Sequence, residues 1–345
     1  MRRNLPVLLL VAGMFVTGAA FAQDQAQNWL LCQDGNPDIA IDGCTTILES
    51  GQERDQNLAI AFYNRGIAYE RNQDFDRAIE DYSQAIGLNS NDVAYFNSRG
   101  TLYAANQDYD RAIEDFGQAI GLNPNYSPAF YSRGSAYVNK QDYDRAIEDF
   151  GQVIRLTPDY APAFYNRGLA YANNQDYDRA IEDFGQVIGL DPNYTRAFNS
   201  RANAYRNQQD YDRAIEDYDQ LISLNPNDAN VFYNRGAVYA NKQDYDQAIQ
   251  DYDQAIRLNP NNAVVFNSRG IAYANKQEYD LAIQNYNQAI GLDQNYALAF
   301  RNRGIAYGNN QYHDLAIQDY DQAIRLDPNE ATFVNERRQL LERQP

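Results

Sequence analysis

The sequence predicts an all-α solenoid built from antiparallel helix pairs, and three observations predict it. The tripeptide Asn/Ser-Arg-Gly recurs with its arginine at Arg65, Arg99, Arg133, Arg167, Arg201, Arg235, Arg269 and Arg303, every interval being 34 residues, with Ser200-Arg201-Ala202 as the variant. Each copy holds two runs of apolar residues at helical spacing. A polar turn separates the runs, and a Pro-containing segment closes most copies. A fixed period of this length marks stacked repeats, and eight of them tile residues 59–330 without an insertion.

The chain before the repeats divides in two. Arg2 and Arg3 precede an uncharged, Leu- and Val-rich run, Leu5 to Ala22, that ends in Ala20-Phe21-Ala22. This is the pattern of a secretory leader, cleaved after Ala22. An uncleaved anchor is the alternative, but the strongly apolar part is short for a membrane span. Residues 1–22 are therefore expected to be a signal peptide. Residues 23–58 are expected to form a degenerate first half-repeat: Trp29-Leu30-Leu31-Cys32 as a short helix, then Asp38 to Leu48 as a second. Cys32 and Cys44 are the only cysteines. In an oxidising compartment they are expected to pair as a disulfide. A cysteine half-site for a metal is the weaker reading, because no His or second Cys pair stands near.

The repeat from Ala161 to Tyr194 shows how one unit is built. Ala163, Phe164, Gly168, Ala170 and Tyr171 share one helical face. Tyr177, Ala180, Ile181, Phe184, Val187 and Ile188 share another. Asn173-Asn174-Gln175-Asp176 is the turn between them; Asp176 suits a helix N-cap and Asp178 the positive end of the helix. Pro192 stops the second helix. Neither helix buries its stripe alone, so neighbours must stack into one continuous core.

These residues resemble the tetratricopeptide repeat. In the same unit the resemblance is carried by Phe164, Gly168, Tyr171, Ala180, Phe184, Val187 and Pro192, and it covers about four-fifths of the chain. The departures are Ser90 and Gln294 where the family has Pro, and Gln at the turn position, as at Gln175, where the family has Gly. The resemblance implies a right-handed superhelical stack. Gly168 is expected where the first helix crosses the second, opposite Ala180.

One position departs more consistently. The family usually carries an apolar residue, typically Leu, where this chain has arginine in all eight repeats. A companion stands in each second helix: Asp81, Asp115, Asp149, Asp183, Asp217, Asp251, Asn285 and Asp319. Arginines flanking buried stripes need partners, so an internal Arg–carboxylate ladder is expected. Its register, within a repeat or between neighbours, stays open; a basic ligand stripe is the competing idea. After the repeats, residues 331–345 read as a capping helix with Phe333, Val334, Leu340 and Leu341 on its apolar face.

Composition bounds the function. The chain has 29 Lys plus Arg against 47 Asp plus Glu, a formal net charge of −18, which becomes −20 once Arg2 and Arg3 leave with the leader. Such a surface repels phosphate backbones, so nucleic acid is not an expected partner. It favours neutral to basic protein or peptide segments. No nucleophile motif, phosphate loop or metal-ligand set is present. His313, the single histidine, stands where other repeats have an aromatic. The Asp-x-Asp motifs lack the remaining ligands of a calcium loop. No enzyme activity, cofactor, metal or stable membrane insertion of the mature chain is expected.

The resemblance implies instead that the first helices line a concave face that holds partner segments. Its expected contacts are Tyr63, Asn97, Tyr131, Tyr165, Asn199, Tyr233, Asn267 and Arg301, with Asn166 and Asn234 from the row one residue later. Rings supply area and amides pair with backbone groups. The Lys/Asn/Arg clamp that some members use on chaperone tails is absent. The reading is a non-enzymatic interaction scaffold, periplasmic or secreted. The alternatives are a self-assembling solenoid, or an accessory subunit of an envelope enzyme or export machinery.

Overall fold

The computed structural model describes residues 23–342; the expected leader and the last three residues of the expected cap lie outside the described residues. These residues are helical with no strand among them. They form two compact bodies, one ending at Ala170 and one beginning at Tyr171. The boundary falls inside repeat 4.

The first body opens with α1 (23–32) and α2 (Pro37–Glu49). Three hairpins follow: α3 (Asp55–Arg71) with α4 (Phe75–Leu88), α5 (Val93–Ala105) with α6 (Tyr109–Leu122), and α7 (Ser127–Asn139) with α8 (Tyr143–Leu156). Helix α9 (Ala161–Asn173) comes last. The second body contains α10 (Tyr177–Leu190), then α11 (Thr195–Asn207) with α12 (Tyr211–Leu224), and α13 (Ala229–Asn241) with α14 (Tyr245–Leu258). It continues through α15 (Ala263–Asn275) with α16 (Tyr279–Leu292), α17 (Ala297–Asn309) with α18 (His313–Leu326), and α19 (Ala331–Glu342). Each of these hairpins packs on itself; within the first body α4 packs on α5 and α6 on α7, within the second α10 packs on α11, α12 on α13, α14 on α15, α16 on α17 and α18 on α19, and first helices also meet directly, as α5 meets α7 and α15 meets α17.

The turn within each hairpin has a clear local cause. Gln73, Gln107, Gln141, Gln175, Gln209, Gln243, Gln277 and Gln311 all lie at φ between 59 and 66°, the left-handed region that glycine occupies most easily. In the first turn the Gln73 amide donates to Glu70 O and the Asp74 amide to Tyr69 O (2.9 Å each), which is the Schellman ending of a helix. The next residue starts the second helix. Asp74, Asp108, Asp142, Asp176 and Asp210 each accept a hydrogen bond from the backbone N–H of the arginine three residues on. That arginine's side chain also returns to the aspartate, and its guanidinium lies over the tyrosine that ends the first helix, as Arg77 over Tyr69 at 4.4 Å.

The core is made of small residues and rings. The alanines equivalent to Ala180 are fully buried in every repeat. The glycine crossing differs from expectation in one respect: in most repeats it faces an aromatic ring rather than the alanine. A Cβ on Gly66 would lie 2.6 Å from the Tyr82 ring, and one on Gly134 would lie 3.0 Å from Phe150. At Gly304 the nearest atom is instead the carbonyl oxygen of the equivalent alanine, Ala316, at 3.2 Å.

The arginine ladder is present. Arg65, Arg99 and Arg133 in the first body, and Arg201, Arg235 and Arg303 in the second, each hold the aspartate of their own repeat with both Nε and Nη2, at 2.6–2.9 Å. Arg269 donates from Nε to Asn285 at 2.7 Å. The aspartates are buried. The open question of register resolves within the repeat for these arginines, and the third nitrogen reaches back to another position of the preceding repeat: Arg99 Nη1 to Ser83 at 3.0 Å, Arg235 Nη1 to Asp219 at 2.5 Å. A second link between neighbours joins the hairpin turn to the preceding second helix, as Lys276 to Asp246 at 2.7 Å and Gln208 to Asp178 at 2.6 Å.

The ends are closed differently. A disulfide joins Cys32 at the end of α1 to Cys44 in α2, and both sulfurs sit among Trp29, Ile47, Leu48 and Ala61. The bond engages both thiols, which removes the metal half-site reading. Gly43 has no side chain where α2 meets the end of α1; a Cβ there would lie 2.6 Å from Cys32 N. At the other end α19 continues the first-helix register. Phe333 is buried, and Arg337 takes the ladder position, with Nε donating to Asp321 at 2.6 Å. Arg338 occupies the glycine position and is exposed.

Candidate functional site

The sequence expects partner contacts on the face of the first helices, and the structure shows what those residues already do. One rule links them: a residue in one repeat meets the residue 35 further along. Tyr63 Oη lies 3.3 Å from Ser98 Oγ. Asn166 Nδ2 donates to Tyr131 Oη at 2.7 Å, and Asn302 Nδ2 to Asn267 Oδ1 at 3.0 Å. Arg301 holds Glu336 of α19, with Nε donating to Oε2 at 2.9 Å. The two expected contact rows are therefore also each other's partners. Arg301 is held above its ordinary pKa by that carboxylate, so it is no isolated cation. Asn267 is buried.

The tyrosines of the row are fixed by rings. Tyr63 packs against Tyr82 of its own repeat and Tyr95 of the next, at centroid distances of 5.5 and 4.8 Å. Tyr131 meets Phe150 and Tyr160 edge-on, both at 5.7 Å. Tyr233 lies 6.0 Å from Tyr252. Each is half-buried, as are Asn97, Tyr165, Asn166, Asn199, Asn234 and Arg301. The row thus offers ring faces and amide edges that are already held in place, which favours binding by lowering its ordering cost.

Such a bond does not form at every junction, and the one between repeats 2 and 3 stands apart for its buried acceptor. By the same rule Asn97 should meet Ser132, yet Asn97 Oδ1 is buried and accepts no hydrogen bond. Beside this junction lies a pocket of about 200 Å³ lined by Thr101, Ala104, Tyr109, Phe116, Tyr131, Ser132, Ser135, Ala136 and Asn139. The Thr101 and Ser135 hydroxyls donate to the carbonyls of Asn97 and Tyr131. The aromatic wall and small rim suit an aliphatic side chain. The residues of this pocket beyond Tyr131 escaped the sequence reading, although the small residues at 101, 104 and 135 could have pointed to it. Glu336 and Arg337 escaped it too; they stand 34 residues after Asn302 and Arg303.

Among the described residues no group of three or more His, Cys, Asp or Glu side chains could hold a metal. No described helix is long and apolar enough to cross a membrane. His313 is exposed at the start of α18, beside a pocket of about 290 Å³ that also includes Tyr320, Glu336 and Leu340.

Comparison with known proteins gives one answer. Models of the tetratricopeptide repeat match residues 59–92, 93–126, 131–195, 199–263, 251–284 and 301–330, and a TPR repeat model matches 272–311. No curated protein sequence matches. Among solved structures, the C-terminal part of a TPR repeat-containing protein from Cytophaga hutchinsonii is 19% identical with a TM-score of 0.59, covering 71% of this chain and 98% of that one. A tetratricopeptide repeat protein from Parabacteroides merdae is 19% identical with a TM-score of 0.53, covering 72% and 98%. At this identity the likeness is one of fold.

Proposed function

Because the chain belongs to the tetratricopeptide repeat family, a family of non-catalytic protein-interaction scaffolds, we propose that it holds an extended, neutral to basic segment of a partner protein along its first helices, in the cell envelope or outside it. The observation that carries this reading is the pocket at Thr101, Ser132 and Ser135, beside a buried acceptor, Asn97 Oδ1, that takes no hydrogen bond. The segment would seat an aliphatic side chain against Phe116 while its polar backbone meets the amides and hydroxyls of the row. The acidic balance of the chain favours a basic segment and makes its attraction fall with salt. Export rests on the leader pattern before Gln23 and fits the Cys32–Cys44 disulfide.

A photo-crosslinking residue at Ser135 tests the site in intact cells. Crosslinks to a discrete partner from position 135, absent from the exposed second-helix position Glu148, are expected. Thr101→Arg, which fills the pocket, should abolish them while circular dichroism stays unchanged. Equal crosslinking from both positions would remove the first-helix face as the site. Mass spectrometry of the recovered protein should find Gln23 as its N-terminus; a chain still beginning at Met1 would overturn export by cleavage.

A further inference from the structure

The ladder arginines carry a second surface, on the side where a first helix meets the second helix of the preceding repeat. Arg65, Arg99, Arg235 and Arg303 give Nε and Nη2 to their own repeat and turn Nη1 towards the neighbour, and Arg269 does so with Nε and Nη1. In most repeats the chain supplies an oxygen there: Thr45 to Arg65 at 3.1 Å, Ser83 to Arg99 at 3.0 Å, Asp219 to Arg235 at 2.5 Å, Asn287 to Arg303 at 2.5 Å, and Asp253 to Arg269. At Arg133 and Arg201 that position is Gly117 and Gly185. No side chain or carbonyl accepts from either Nη1, and neither atom is buried.

Packing does not demand these glycines. A Cβ on Gly117 or Gly185 would lie 3.8 or 3.7 Å from Nη1, an ordinary contact, and Gly151 stands at 3.7 Å from Arg167 in the same way. Glycine inside a helix is disfavoured against alanine, so its use here leaves the arginine edge open at a local disadvantage. Arg235 shows what the edge accepts: it holds Asp251 and Asp219 together. The planar guanidinium has donors for both.

We propose that the open edge of Arg133, and separately that of Arg201, receives a carboxylate side chain from an acidic segment of a partner protein, taking the place that Asp219 fills for Arg235. The rings of Phe130 and Tyr137 stand 5.7 and 5.9 Å from the Arg133 guanidinium, and those of Phe198 and Tyr205 stand 5.7 and 6.0 Å from Arg201. They wall part of each edge from water and strengthen a charge-assisted hydrogen bond formed there. The chain's negative balance does not draw such a partner from a distance, so recognition is local and geometric. This surface is separate from the first-helix row and does not depend on it.

The test reads the arginine side-chain N–H resonances of the mature chain. Sodium acetate, titrated against sodium chloride at matched ionic strength, should shift Arg133 and Arg201 saturably and leave Arg235 unmoved. Gly117→Asp and Gly185→Asp, which fill the slots from within, should abolish the response; Gly117→Ala, which leaves the slot open, should keep it. A short peptide with one Glu between Ser residues should bind at each edge severalfold more tightly than acetate, because its backbone adds contacts beside the guanidinium. Equal shifts in the filled variants, or no shift at all, would overturn the proposal. Acetate binding with no gain from the peptide would reduce the edges to small-anion sites and overturn the partner.

Discussion

Arg235 is shared between two carboxylates: Asp251 of its own repeat, held by Nε and Nη2, and Asp219 of the preceding repeat, held by Nη1. The two are not equivalent. The Asp251 side chain is 7% exposed and the Asp219 side chain 50%. Removing the inner partner strands a largely buried cation, whereas removing the outer one leaves a group that water can serve. Asp251→Ala should therefore cost about 3 kcal/mol and Asp219→Ala under about 1 kcal/mol, measured as shifts in denaturant midpoint. Equal losses would show that the inner pair is as solvated as the outer one.

The glutamines at the hairpin turns sit in a conformation that costs an L-residue about 1 kcal/mol. Gln141→Gly should remove that cost. Part of the gain is offset by the greater freedom of glycine in the unfolded chain. A rise in melting temperature is expected, growing when Gln107→Gly is added. A fall would mean that the glutamine side chain contributes more than its backbone costs.

The glycine crossings should respond to a methyl group in a graded way. Gly66→Ala forces a Cβ to 2.6 Å from the Tyr82 ring, while at Gly304 the nearest atom lies at 3.2 Å. Overpacking of this kind costs about 1–3 kcal/mol, against a helix-propensity gain of about 1 kcal/mol. Gly66→Ala should be clearly destabilising and Gly304→Ala nearly neutral in thermal melts. Ala202 shows that a repeat can adapt to the methyl group, since it is fully buried at this position.

Acid should act on the helix caps rather than on the ladder. The hydrogen bond from the following arginine holds Asp74, Asp108, Asp142, Asp176 and Asp210 below the ordinary carboxylate value of 3.8. Their contribution is complete above that value and is lost as the pH falls through the lower folded one. Burial pushes Asp81, Asp149, Asp217 and Asp251 the other way, against the pull of their arginines. A raised folded pKa gives a contribution that is complete below the unfolded value and lost as the pH rises, so these four aspartates do not drive acid unfolding. Replacing the five cap aspartates with asparagine, which still caps, should flatten the drop in melting temperature between pH 5 and about pH 3. An unchanged drop would assign acid sensitivity elsewhere.

Reducing the Cys32–Cys44 bond, which spans 12 residues, should cost about 3 kcal/mol in the chain-entropy description. In a stack where each repeat contacts only its neighbours the loss stays local. Hydrogen exchange should rise in α1 and α2 and stay unchanged from α5 onward. Faster exchange throughout the first body would instead make the cap essential to the fold.

The helices were legible because every copy repeats the same stripe, the same aspartate cap and nearly the same stop. The need for a partner at each arginine was legible from charge alone. The register was not, for a definite reason: Asp251 lies 16 residues after Arg235 and Asp219 lies 16 residues before it, so spacing cannot choose between them, and both are used. The left-handed turns were hidden because glutamine is no turn former; only the family's glycine at that place hints at them. The links within the first-helix row, Tyr63 with Ser98 and Asn267 with Asn302, were obscured because each repeat was read as if its neighbour were absent.

Because Arg99, Arg235, Arg269 and Arg303 each close their hydrogen bonding partly within their own repeat and partly on the one before, the same kind of link recurs from junction to junction. Arg338 of α19 sets a long cation at the position where the complete hairpins carry glycine or alanine, so the close crossing made there by glycine is not available to α19. Copies could be gained or lost inside the array by whole periods, since a new junction would bring together the same faces as an old one.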